Sequence, residues 1–143
     1  MTKSFEFIKK NLVEIVFFTI AFLFSGWLMW HSFGYDSQKS QILISSKVWS
    51  DFANHIPLIR SFSMGANFPP EFPLFPGEPI KYHFLFYTLV GLLEKTGLRV
   101  DWALNVPSSL SFFGLMVMIF LLAKLLFKSR FVAFLSVIFF LFN

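Results

Sequence analysis

Two long apolar runs, Leu12 to Trp30 ("LVEIVFFTIAFLFSGWLMW") and Trp102 to Phe127, decide most of what this chain can become. A helix needs about 20 mostly apolar residues, at about 1.5 Å each, to cross a hydrocarbon core of about 30 Å. Both runs meet that requirement. The composition agrees, because 56% hydrophobic, 21% aromatic and only 14% charged residues place the chain in the membrane class. Cysteine is absent, which removes disulfides, thiolate chemistry and Cys-based metal sites. The net charge of +4 is small. In a membrane chain such an excess of Lys and Arg sets topology, and no basic-aromatic surface for nucleic acid stands out.

The fold expected is therefore an all-α membrane protein, multi-pass in the cell membrane. Residues 1–11, with Lys3, Lys9 and Lys10, lie in the cytoplasm, and residues 12–31 form the first span. Glu14 pairs with Lys10 at the interface, while Trp27 and Trp30 form an aromatic belt at the opposite boundary, with His31 beside them. The run is too long for a signal peptide and no small-x-small cleavage site follows, so it is a retained anchor. Residues 32–101 form an outer loop with juxtamembrane helices near 46–62 and 80–96. Between them, Pro70, Pro73, Pro76 and Pro79 recur at the polyproline II period, which predicts a stiff, extended segment. Phe68, Phe72, Leu74 and Phe75 would pack onto protein or lipid headgroups. The run Tyr82 to Leu93 makes a helix of about 18 Å, too short to cross, and His83, Tyr87 and Glu94 give it a weak polar stripe.

The second span covers residues 102–127. Asp101 or Asn105 would cap it, with Pro107 in its first turns. Its basic end, Lys124, Lys128 and Arg130, returns to the cytoplasm if the Tyr82 helix stays outside. Residues 131–143 begin a third span that stops after about a dozen apolar residues. A helix cannot end inside lipid with open carbonyls, so the expectation is a piece of a longer polytopic protein.

The chemistry lies in "KVWSDFANHIPLIRSFSMG". As a helix starting near Ser45 or Ser46, it puts Val48, Phe52, Ile56 and Ile59 on one stripe. Asp51, Asn54, His55 and Leu58 share another face, and Pro57 bends the helix. One reading is a solvated surface with an i, i+4 Asp–His pair. The other is a general base, Asp51, beside groups that neutralise a phosphate: His55, Arg60, Lys81 and His83. Asp51, His55 and His83 would be the ligands of a metal site, but no HExxH-like spacing supports one, and no metal or other cofactor is assigned. Neither a glycine elbow for Ser-His-Asp catalysis nor a Gly-rich phosphate loop is present.

The order of "WSDFANH", "FPPEFPLFPGEPIKYHFLFYTLVGLLEKTGL" and "DWALNVPSSLSFFGLMVMIFLLAKLLFKSR" resembles the N-terminal module of the GT-C superfamily of membrane glycosyltransferases. The proline-rich segment also resembles uncharacterised YYY-type bacterial and archaeal membrane proteins, which look like relatives of that superfamily. The resemblance implies a catalytic base at Asp51 that activates an acceptor hydroxyl. The donor would be a polyprenyl-phosphate-linked sugar, its phosphate held by basic residues of the second juxtamembrane region. Members often carry a second acid beside the first, whereas Phe52 and Ala53 follow Asp51 here, which weakens any metal-dependent version and leaves a single-carboxylate mechanism. Glu78 stands where a lysine often precedes the proline motif, which shifts the phosphate role to Lys81 or His83. The isolated chain is expected to be inactive.

A second class remains open, a non-enzymatic polytopic protein such as a transporter or envelope assembly factor, with a structural outer loop. A transporter should carry ionisable residues near the bilayer midplane, and the two complete runs have none there.

Overall fold

The computed structural model describes the backbone of residues 2–142 and the side chains of residues 11–142. The chain is mostly helical: α1 (Thr2–Ser32), α2 (Trp49–Ser63), α3 (Leu85–Lys95), α4 (Val100–Phe127) and α5 (Arg130–Phe142). One antiparallel hairpin, β1 (Phe33–Asp36) with β2 (Gln41–Ile44), interrupts them. Asn11–Ser32 and Val100–Phe127 are long and apolar enough to cross a membrane. Within the described residues, 11% and 17% of their most apolar windows are buried. The chain divides into two compact units.

The first unit takes residues up to Trp27 and those from Ser108 onward. Its core is Ala21, Met116, Phe120, Ala123, Ala133 and Val137, ringed by Phe17, Phe18 and Phe134. Small residues let the helices approach while large rings fill the gaps. Phe17 meets Phe134 edge-on at 4.9 Å, and Phe18 meets Phe120 edge-on at 5.1 Å. Buried Ser25 donates from Oγ to the Ser109 carbonyl at 2.6 Å, a polar tie between apolar helices. The pairing expected between Glu14 and Lys10 lies outside the described side chains on the lysine side. Among the described side chains Glu14 takes Lys124 and Arg130.

The second unit, Leu28–Pro107, packs α2 against α3 under the hairpin. Phe33, Leu58, Ile59, Phe62, Tyr87, Val90 and Ala103 form its centre. Phe33 stacks on Phe52 with ring centres 4.8 Å apart. Gly91 allows the close approach, since a Cβ there would stand 2.7 Å from the Cβ of Phe62. The hairpin lies in a stretch read from sequence only as polar loop. Asp36 Oδ1 accepts from the amides of Gln38 and Lys39 at 2.9 and 3.3 Å, and Ser40 turns with φ 51°. That side-chain-stabilised turn registers Phe33 against Ile44.

Several local expectations change. Helix α2 begins at Trp49 rather than near Ser45, because the Ser45 amide is held by the Ser32 carbonyl at 2.9 Å and residues 45–48 close the hairpin. Asn105 does not cap α4, as its Nδ2 donates to the Phe33 carbonyl at 2.7 Å. Asp101 holds Arg99 in a two-point pair at 2.6 and 2.8 Å. The proline segment is not an extended rod. The Phe72 amide donates to the Glu78 carbonyl at 2.9 Å, and the Ile80 amide to the Pro70 carbonyl at 3.1 Å, so the chain doubles back. Gly77, at φ 92°, makes the reversal that an L side chain resists. Proline spacing alone specifies φ, and the glycine and these bonds decide the path.

Candidate functional site

Helix α2 carries Asp51, Asn54, His55 and Leu58 at i, i+3, i+4 and i+7, which keeps them on one face. All four line a surface cavity of about 370 Å³ whose other sides are lined by Phe72 from the proline loop, Tyr82 from the approach to α3, and Tyr87 from α3 itself. The loop is anchored to α2 by Asn67. Its Nδ2 donates to Ser61 Oγ at 2.9 Å and to the Glu71 carbonyl at 2.8 Å, while its Oδ1 accepts from the Glu71 amide at 2.8 Å. Three polar groups on one wall thus face three aromatic rings on the others.

Asp51 is exposed to this cavity, and among the described residues its carboxylate accepts no hydrogen bond and meets no cation. Its lone pairs are uncommitted. His55 is half-buried, with its ring 5.1 Å from that of Tyr87. Burial pushes the His55 imidazole below its ordinary value, and the nearby Asp51 charge only partly opposes this. The hydroxyl of Tyr87 is pushed upward, first by burial and then by Tyr82 and Asp51. A neutral imidazole and a protonated phenol beside an open carboxylate offer donors and acceptors for a hydroxyl-rich ligand.

The other site candidates are placed differently. Arg60 does not line the cavity, and its Nη1 sits 2.6 Å from Glu94 Oε1. At about 100° per residue, the nine positions from Asp51 carry Arg60 to the opposite side of α2. Glu94 is correspondingly not part of an exposed stripe with His83 and Tyr87, since its side chain is 11% exposed and Tyr87 is buried. Lys81 lines a neighbouring shallow recess with Phe75, Glu78 and Ile80, and that recess shares Phe72 and Tyr82 with the first. His83 is exposed and its ring lies 3.7 Å from that of Tyr82. Among the described residues, no three His, Asp or Glu side chains converge as metal ligands would.

Sequence reasoning grouped the α2 face but missed its aromatic walls. The signal was there in "PPEFP" and "KYHFLFY", where rings recur among turn formers, yet it did not say which rings would turn back to α2. Comparison with protein-family models, with curated proteins and with solved structures finds no match.

Proposed function

We propose that this chain is the N-terminal part of an integral membrane glycosyltransferase that uses a polyprenyl-phosphate-linked sugar on the outer face of the membrane. In this reading the N-terminus is cytoplasmic, α1 and α4 are spans, and α2 and α3 are the juxtamembrane helices of the outer segment. The observation that carries it is the unpartnered Asp51 carboxylate on a cavity whose other walls are Tyr82, Tyr87 and Phe72. Aromatic faces accept the C–H side of a sugar ring, and a carboxylate with Asn54 and His55 meets hydroxyls. Asp51 takes the proton of the acceptor hydroxyl as its oxygen attacks the anomeric carbon, and the bond to the lipid phosphate breaks with its electrons on the phosphate. Lys81 stands at the adjoining recess to receive that phosphate, with His83 beside Tyr82. Arg60 acts through Glu94 to hold α2 on α3 and is not a phosphate ligand in this scheme.

The test is transfer of a radiolabelled sugar from its polyprenyl phosphate in membranes carrying the intact protein. Asp51→Asn keeps the shape and removes the base, and transfer is expected to fall at least about 100-fold, the scale of a lost general base. Membrane content should be unchanged. Transfer at the parental rate in Asp51→Asn removes Asp51 from the mechanism. In the non-enzymatic reading Asp51 is a solvated surface acid, and the rings of Phe72, Tyr82 and Tyr87 beside it are what favour the enzymatic one.

A further inference from the structure

The first unit holds a charged cluster that plays no part in the proposed transfer. Glu14 Oε1 accepts from Lys124 Nζ at 2.8 Å and from Arg130 Nε at 2.8 Å. The Glu14 side chain is 12% exposed, so a single carboxylate is enclosed by cations from α4 and α5. Lys128 follows in the corner between those helices, exposed and held at φ 51°. Among the described side chains, this corner therefore carries two more positive charges than negative ones.

The surroundings are apolar. Leu125, Leu126, Phe127 and Phe131 are 74%, 65%, 64% and 70% exposed. Cations beside hydrocarbon favour a counter-charge, and among the described side chains Glu14 is the one acid that meets them. In the bilayer this collar of leucines and phenylalanines lies against acyl chains, which brings lipid phosphates within reach of the cations at its edge. A phospholipid answers both, with its phosphate on the lysines and its acyl chains over the collar.

We infer that the Lys124–Lys128–Arg130 corner binds the phosphodiester of an anionic phospholipid, with Glu14 as the internal counter-ion that competes with it for Lys124 and Arg130. This rests on membrane insertion and is independent of sugar transfer. Insertion has its own check: a chain released from membranes by alkaline carbonate would refute insertion itself, whatever the lipid result.

The test is native mass spectrometry of the full chain in neutral detergent with equimolar phosphatidylglycerol and phosphatidylcholine. Phosphatidylglycerol is expected to be retained preferentially. Neutralising Lys124→Gln with Lys128→Gln should cut that preference about 25-fold, from about fivefold per cation near a lipid phosphate. If the double variant loses its helical circular dichroism, Lys128→Gln alone should cut it about fivefold. The opposite sign is expected for Glu14→Gln, which frees both cations and should raise the preference about fivefold. Asp36→Asn changes the charge equally in the hairpin turn and should leave the preference where it was. Equal retention of the two lipids, indifference to the lysine changes, or an equal rise in Glu14→Gln and Asp36→Asn would each overturn the site. Displacement by inorganic phosphate at the same concentration would assign it to a free anion and overturn the lipid.

Discussion

Gly91→Ala is the substitution whose outcome the geometry constrains most tightly. Helix propensity alone favours alanine by about 1 kcal/mol. Against that, the new Cβ would lie 2.7 Å from the Phe62 Cβ, 3.0 Å from the Ile59 carbonyl oxygen and 3.2 Å from the Ser63 amide nitrogen. None of these is the tip of a flexible side chain, so no rotamer relieves the clash. Carbon atoms rest about 3.5–4.0 Å apart, and α2 must therefore retreat by about 1 Å. A gap of that size forfeits about a quarter to a half of the dispersion energy of the facing atoms, here those of Ile59, Phe62 and Val90, all buried. Overpacking of this kind costs about 1–3 kcal/mol, and the upper half of that range applies where backbone must move. After the propensity gain, the net loss is about 1–2 kcal/mol, which is about 5- to 30-fold in the opening equilibrium. Amide hydrogen exchange of the full chain in nanodiscs reads it directly. Peptides from 49–63 and 85–95 should exchange about 5- to 30-fold faster, and peptides from the middle of α4 should not change. Protection in α2 that is equal to or above the parental level would mean the two helices are not packed at that distance, and the cavity built on them would lose its geometry.

Two further perturbations address the same helix pair. Arg60→Ala strands the Glu94 carboxylate, whose Oε2 is buried with no hydrogen-bond partner. Removing one member of a fully buried pair costs about 3–5 kcal/mol, and with Arg60 34% exposed we expect about 1–3 kcal/mol. Adding Glu94→Gln should recover most of that loss in thermal unfolding, and no recovery would refute the stranded charge as the cause. The pH dependence has a fixed sign. The folded His55 value lies below the ordinary 6.5, so the folded state refuses a proton that the unfolded state accepts. Stability is full above about pH 6.5 and falls as the pH drops toward the folded value. His55→Gln should flatten that decline, and Asp51→Asn should steepen it by removing the charge that raises His55. An unaltered slope in His55→Gln would place the acid sensitivity elsewhere.

Much of the architecture was legible because it follows from long-range periodicity and length. The apolar runs became α1 and α4, and the i, i+3, i+4, i+7 face of Asp51, Asn54, His55 and Leu58 arrived intact on one cavity wall. Features set by a single turn or a distant partner were not legible. The hairpin depends on Asp36 accepting two amides, and the reversal of the proline segment depends on Gly77. Neither leaves a period to detect. Arg60 is the instructive case. Its position opposite Asp51 follows from helix geometry alone, yet a reading that collected polar residues by proximity in sequence placed both in one site. Its true partner, Glu94, lies on another helix and has no signature in the α2 sequence.

The acids divide in a way that bears on Asp51. Glu14, Glu94 and Asp101 each hold a cation, and Asp36 and Glu71 each accept a backbone amide, whereas Asp51 on α2 and Glu78 in the proline loop have no such partner among the described residues. Glu14 and Glu94 bridge separate helices, and Asp36, Glu71 and Asp101 fix a local turn or helix start. Asp51 sits in the first turn of α2, joins nothing, and faces rings from two other segments. In the first turn its charge is favoured by the helix dipole by about 0.3–1 kcal/mol, without any side-chain partner. The same helix turn that carries Arg60 away to Glu94 is what keeps a cation from quenching Asp51. For the base proposed above, that separation leaves the Asp51 charge available beside Phe72, Tyr82 and Tyr87.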